Sequence, residues 1–360
     1  MSMRFGTRTL FLCCVMSVAV FAGTARPALA AACGVTFGPT FAGSYTCNDF
    51  GSPSGIPANL GGITFLDNNT LLIGGSANGG NSVIDMIGVT RGAGNHITGF
   101  SGTASQFSTA PYIDGGLTFG PSNVLFFTGW PVNTLGEIKS GSASPDKTIM
   151  LSALTPPVIG SVGTAAFVPG GFAGAGEFKI ASFGSSTWYT GTLTPDGSGT
   201  YDLSVVLNTT ISGGPEGIVY VKGSNPGFVG DSVLVSEYSA GRVSAYTIDG
   251  NGDPVPVTQT DFITGLSGAE GAVIDPLTGD FLFSTFGGGN RVLDISGFAA
   301  PAPVPEPATL VLLGSGLAGL RVFRRKRPAP APRQRPYSSW RRTQKGPSPP
   351  SSRPLGTRSR

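Results

Sequence analysis

Short apolar runs alternate with glycine-rich breaks along most of the chain, and the runs recur at a regular interval. One run begins at Gly62-Ile63-Thr64-Phe65. Counterparts stand at Gly116-Leu117-Thr118-Phe119, Thr164-Ala165-Ala166-Phe167, Gly217-Ile218-Val219-Tyr220 and Gly271-Ala272-Val273-Ile274. Their last residues fall at 65, 119, 167, 220 and 274, in steps of 54, 48, 53 and 54. A turn and a second apolar run follow each one, over Leu71–Gly75, Val124–Gly129, Phe178–Gly184, Val233–Ser239 and Phe281–Gly287. A third run comes next in each unit, as at Ser82–Val89 and Arg242–Ile248. Most units add a fourth, as at Thr148–Leu154 and Tyr201–Leu207. Runs of this length, rich in Val, Ile, Thr and Phe and bounded by turn residues, predict strands. No long amphipathic helix is visible.

Four strands per repeat of about 50 residues predict the blade of a β-propeller. A single blade cannot bury both of its faces, so the units are expected to pack around an axis. The fifth unit lacks a fourth strand before the Pro-rich stretch 299–307, and Phe41–Phe50 has no unit of its own. That N-terminal segment is expected to supply the missing strand and close the ring. The reading is an all-β chain with five blades over residues 31–298. Six blades is the next choice, and a β-sandwich or β-helix is less favoured.

Composition fits this picture: 56 of 360 residues are glycine and only 12% are charged. The formal net charge of +3 conceals a sharp division. Residues 321–360 hold 13 Lys/Arg and no acid, whereas residues 31–320 hold 7 basic and all 20 acidic residues, a net of −13. Met1–Ala30 reads as a secretory signal peptide, with Arg4 and Arg8 before an apolar stretch and Ala28-Leu29-Ala30 as the cleavage pattern. A lipoprotein reading at Cys33 is weaker, because Leu29 stands one place too far upstream. Cys13 and Cys14 leave with the signal peptide. Cys33 and Cys47 then remain in an oxidising compartment and are expected to form a disulfide.

The C-terminus has three parts. Val304-Pro305-Glu306-Pro307 precedes an apolar run, Ala308–Leu320, and then Arg321 and the cluster Arg324-Arg325-Lys326-Arg327. This order resembles the PEP-CTERM sorting signal of Gram-negative bacteria. The resemblance implies an exosortase as processing partner, cutting near Pro305-Glu306-Pro307. It also implies export through an intermediate anchored transiently in the inner membrane, then delivery to the cell surface or medium. The 13-residue apolar run is shorter than the roughly 20 residues that span a bilayer core, so residues 308–327 are expected to form a short, marginal transmembrane segment. The basic cluster is expected to stay cytoplasmic. Pro328–Arg360 reads as a disordered basic tail, and nucleic-acid binding by that tail is the less favoured reading.

Units four and five also resemble the NHL/SMP-30 type of propeller, in Pro215–Tyr220 with Ser232–Asp249 and in Glu270–Pro276 with Phe281–Ile295. The single histidine, His96, sits in a glycine-rich loop with no nucleophile motif beside it, so a bystander surface residue is expected and no catalytic residue is assigned. Gly314–Gly319 matches a dinucleotide-binding pattern, but it has no strand before it and reads as part of the apolar segment. Asp249-Gly250-Asn251-Gly252-Asp253 is expected to be a tight turn, because Pro254 and Thr260 replace residues a Ca²⁺ loop needs.

Glu216 and Glu270 stand immediately before the first-strand glycines, 54 residues apart, and Asp114 lies two residues before Gly116. If the first strands surround the axis, the three carboxylates face one mouth. Oxygen ligands of this kind suit a hard cation such as Ca²⁺. The plainer alternative is that they cap backbone amides at turns. The leading functional expectation is an exported surface or matrix protein, its propeller binding an exopolysaccharide or a surface protein in a biofilm setting. The alternative is a metal-dependent hydrolase of the lactonase kind.

Overall fold

The computed structural model describes residues 33–300. The expected signal peptide, the Pro-Glu-Pro motif, the apolar run, the basic cluster and the tail lie outside the described residues. Among the described residues, no helix is long and apolar enough to cross a membrane.

The described chain is a five-bladed β-propeller. It opens with two short strands, β1 (Thr36–Phe37) and β2 (Thr46–Asp49). Blade 1 comprises β3 (Ile63–Asp67), β4 (Thr70–Gly75), β5 (Val83–Arg91) and β6 (Ile97–Thr109). Blade 2 comprises β7 (Ile113–Phe119), β8 (Leu125–Gly129), β9 (Thr134–Ile138) and β10 (Lys147–Met150). Blade 3 comprises β11 (Val162–Phe167), β12 (Phe178–Ser182), β13 (Thr187–Pro195) and β14 (Tyr201–Thr210). Blade 4 comprises β15 (Pro215–Val221), β16 (Ser232–Glu237), β17 (Arg242–Thr247) and β18 (Thr260–Thr264). Blade 5 comprises β19 (Ala269–Ile274), β20 (Phe281–Thr285) and β21 (Val292–Ser296). Every blade is an antiparallel meander, and β3, β7, β11, β15 and β19 pack against one another around the axis.

The apolar runs of the second strands are nearly continuous because both faces of each blade are buried. Successive side chains point to opposite faces. Leu71 and Ile73 enter the core shared with blade 5, while Leu72 enters the one shared with blade 2. Phe126 faces blade 3, and Leu125 and Phe127 face blade 1. Val233 and Val235 face blade 3, and Leu234 faces blade 5. Five apolar clusters result, one at each interface between blades. Removing a side chain such as Leu72 or Phe126 would leave a void costing about 2–5 kcal/mol.

The ring closes through the N-terminus. Strand β2 is the outer strand of blade 5, with Thr46 opposite Ser296 and Asp49 opposite Leu293. The Thr46 and Ser296 hydroxyls lie 2.7 Å apart, and Arg291 pairs with Asp49 at 2.6 Å. Strand β1, only two residues long and too short for a sequence pattern, adds to the edge of blade 4, with Thr36 opposite Thr264. Cys33 and Cys47 form a disulfide, with Cα atoms 5.8 Å apart. Between them, Phe41 and Tyr45 sink into an aromatic cluster with Phe228, Phe262 and Phe298, at centroid distances of 4.6–5.0 Å for Phe41–Phe228, Phe41–Phe262 and Tyr45–Phe298.

The fourth strand of blade 2 differs from the expected Thr148–Leu154. It stops at Met150, and a 3₁₀ turn over Leu151–Ala153 carries the fully buried Leu151 into the core between blades 2 and 3.

Candidate functional site

Asp114, Glu216 and Glu270 are each the second residue of an innermost strand, β7, β15 and β19. An undisturbed strand would alternate these side chains into the blade interfaces. A β-bulge intervenes instead. In β15 the register moves from Pro215–Glu237 to Gly217–Ser236, so Glu216 is the extra residue. In β19 it moves from Ala269–Thr285 to Ala272–Phe283, again with one extra residue. In β7 it moves from Ile113–Gly129 to Leu117–Phe127, with two extra residues. The longer bulge explains why Asp114, two residues before its glycine, still reaches the same place. Bulges re-aim side chains in this way.

The three carboxylates meet, offering oxygens that all lie within 4.8 Å of one another. Glycines on the adjoining innermost strands make room for them. A Cβ on Gly115 of blade 2 would lie 1.9 Å from Glu216 O, and one on Gly163 of blade 3 would lie 2.1 Å from Pro215 O, each also 2.8 Å from Glu216 Oε2, so bare backbone lets these strands approach the acid of blade 4. Neighbouring blades are also held by second-strand hydroxyls. Thr128 Oγ1 donates to Gly163 O at 2.7 Å and accepts from Gly116 N at 2.9 Å. Ser284 Oγ donates to Gly61 O at 2.5 Å.

All three acids are buried, and Asp114 Oδ2, Glu216 Oε2 and Glu270 Oε1 have no hydrogen-bond donor. Burial pushes the Asp114 carboxyl up to about 8, while the adjacent Glu270, Glu216 and Asn78 side chains pull it the other way. Burial first, and then the neighbouring acids, hold Glu216 and Glu270 well above the usual carboxylate range. Three close carboxylates in a dry site cannot all carry charge without a compensating cation.

A collar of aromatic side chains surrounds the opening of this cavity, whose volume is about 320 Å³. Trp130, Phe183, Tyr238 and Phe286 follow the second strands of blades 2, 3, 4 and 5, and each is half-buried. These strands run antiparallel to the first strands, so their ends lie at the same mouth as the carboxylates. The rings meet edge to face in sequence: Trp130–Phe183 at 6.4 Å, Phe183–Tyr238 at 6.0 Å and Tyr238–Phe286 at 6.2 Å. Blade 1 breaks the collar and contributes Asn78, whose side-chain oxygen is buried without a partner. The cavity lining contains no Lys, Arg or His.

Other singled-out residues lie elsewhere. His96, expected to be a bystander, places Nδ1 2.5 Å from Oδ2 of the fully buried Asp280, across the interface of blades 1 and 5. Asp249 Oδ1 accepts from the amides of Asn251 and Asp253, closing a tight turn. The Asp253 carboxylate is taken up by Lys179, Trp188 and Asn208.

A five-bladed propeller with an acidic, aromatic-rimmed cavity at one mouth is the class that these features define. Residues 303–327 match the PEP-CTERM protein-sorting motif. The chain therefore carries that motif, which implies an exported protein processed by an exosortase through a membrane-anchored intermediate. No curated protein matches the chain. Among solved structures it is similar to a candidate phosphatase from Bacteroides thetaiotaomicron, with 12% identity over 66% of this chain and 60% of that one and a TM-score of 0.38. It is also similar to the PQQ domain of pyranose dehydrogenase from Coprinopsis cinerea, with 10% identity over 73% and 97% and a TM-score of 0.40. A candidate gluconolactonase gives 10% identity over 74% and 100% and a TM-score of 0.41. At these scores the likenesses carry no argument about activity.

Proposed function

We propose that the protein is an exported binding module at the cell surface or in the matrix, and that its propeller binds a cation-bearing ligand at the collared mouth. The observation that carries this reading is three buried carboxylates sharing one cavity with no basic side chain in its lining. Buried acids are ordinarily paired or protonated, so here the compensating charge comes from a proton or from outside the chain. Ca²⁺ is one candidate: Asp114, Glu216, Glu270 and the Asn78 side-chain oxygen would hold it through oxygen atoms alone, which suits a hard ion. The test is a thermal melt of the exported protein with CaCl₂ and with organic ammonium salts. A rise in melting temperature with either, lost in Glu216→Gln, supports the reading; no response to any cation removes it.

A metal-dependent hydrolase is the second reading, and it rests on the same close carboxylates. A metal there would polarise a substrate carbonyl as a Lewis acid. Hydrolysis across a lactone panel that disappears with EDTA and with Glu216→Gln would support it. An inactive but cation-binding protein would leave only the binding role.

A further inference from the structure

We infer that the cavity at the channel mouth takes a small organic cation, an alkylammonium group, with its charge over Asp114, Glu216 and Glu270 and its alkyl surface against Trp130, Phe183, Tyr238 and Phe286. This rests on the reading that the cavity binds a cation, and it names the kind.

The floor and the wall ask for different things. The floor supplies negative charge and unpartnered oxygens. The wall supplies four rings in series, with interplanar angles of 86°, 77° and 71° between successive neighbours. Rings turned successively edge to face curve around an opening and cannot lie flat as one stacking platform. A cation near such rings is attracted by their electron-rich faces. A hard divalent ion would be held by the oxygens of the floor alone and would gain nothing from the four rings of the wall. A neutral sugar would use the rings but would gain no ion pair from the three acids beneath them. An alkylammonium group satisfies both surfaces at once, and the cavity is wide enough for more than a bare ion.

The experiment is calorimetric titration of the whole exported protein with tetramethylammonium chloride, alongside calcium chloride and tert-butanol, the last being a neutral molecule of similar shape. Tetramethylammonium is expected to bind, and tert-butanol to bind at least about tenfold more weakly. Trp130→Leu and Phe286→Leu should each weaken the ammonium about tenfold without changing the calcium titration. Because both rings sit half-exposed on the rim, the unchanged melting temperature of these variants serves as the control for folding. Calcium binding without tetramethylammonium binding would overturn this inference and leave the cation reading standing. Equal binding of tert-butanol would also overturn it. No binding of either ion would remove both.

Discussion

Cys33 lies just ahead of β1 on the edge of blade 4, and its disulfide partner Cys47 lies in β2, the outer strand of blade 5. The bond therefore ties two neighbouring blades at the place where the ring is closed by pairing alone. In a chain-entropy account, a loop of this length is worth about 3 kcal/mol. Cys47→Ser is expected to lower unfolding stability by about 2–4 kcal/mol in urea titrations under oxidising conditions. A loss below about 0.5 kcal/mol would mean that the aromatic cluster around Phe41 and Tyr45 holds the seam without help.

Thr128 bridges blades 2 and 3 with one hydroxyl that both gives and receives. Thr128→Val keeps the shape but strands the Gly116 amide and the Gly163 carbonyl in a buried place. The expected cost is about 1–3 kcal/mol, read from the denaturation midpoint. An unchanged midpoint would show that the innermost strands rearrange freely.

Glu216→Gln should stabilise the protein in the absence of added cation. The wild-type site holds acids that burial opposes, and a neutral amide relieves part of that opposition, by about 1 kcal/mol or more. The same variant should lose any stabilisation by cations. A melting temperature that falls, with the cation response intact, would contradict both expectations.

Gly163→Ala is a test of the space around the acids. The new Cβ would stand 2.1 Å from the Pro215 carbonyl oxygen and 2.8 Å from Glu216 Oε2, so the bulged start of β15 must move away from β11 and carry Glu216 with it. Overpacking of this kind costs about 1–3 kcal/mol. Cation affinity should fall with it, measured by the same titrations. A variant that keeps full stability and affinity would show that β11 and β15 can separate without disturbing the acids.

Stability should also decline as pH rises toward neutrality. Burial, and then the charge of Asp280, raise the Asp294 carboxyl to about 7, with Asp275 acting the same way and Asn48 and His96 opposing. Burial likewise raises Glu137 to about 7. An unfolded carboxyl titrates near about 4. Between these values the folded protein holds more protons than the unfolded chain, so the stability present in acid is lost as pH climbs to about 7. Melting temperatures across that window should fall for the wild type and fall less steeply for Asp294→Asn. A curve that rises over the same range would mean that these acids are ionised at little cost.

Blade number, the strand-one glycines and the closing role of the N-terminal segment could be read from spacing alone, because each blade repeats one burial pattern. The meeting of Asp114, Glu216 and Glu270 was legible only as a condition, since their aim depends on bulges in β7, β15 and β19. A bulge changes register without changing residue type, so periodicity does not reveal it. The collar was present as a pattern and went unread: Trp130, Phe183, Tyr238 and Phe286 recur at the ends of the second runs, in steps of 53, 55 and 48. Single aromatics beside turns look like ordinary strand ends until the ring brings them together. Asn78 gave no signal, because it belongs to the one blade that departs from the aromatic pattern.

The seam between β2 and β21 has a consequence for the order of events during export. Asn48 and Asp294, hydrogen-bonded neighbours across it, are 246 positions apart in the chain. Pairing so distant is slow to form. If the N-terminus crosses the membrane first, β2 must wait with an unsatisfied edge until almost the whole propeller has followed. A strand edge left open in this way invites pairing with other chains. The period of greatest exposure to misassembly therefore precedes the arrival of β21, and it ends only when the last blade receives β2.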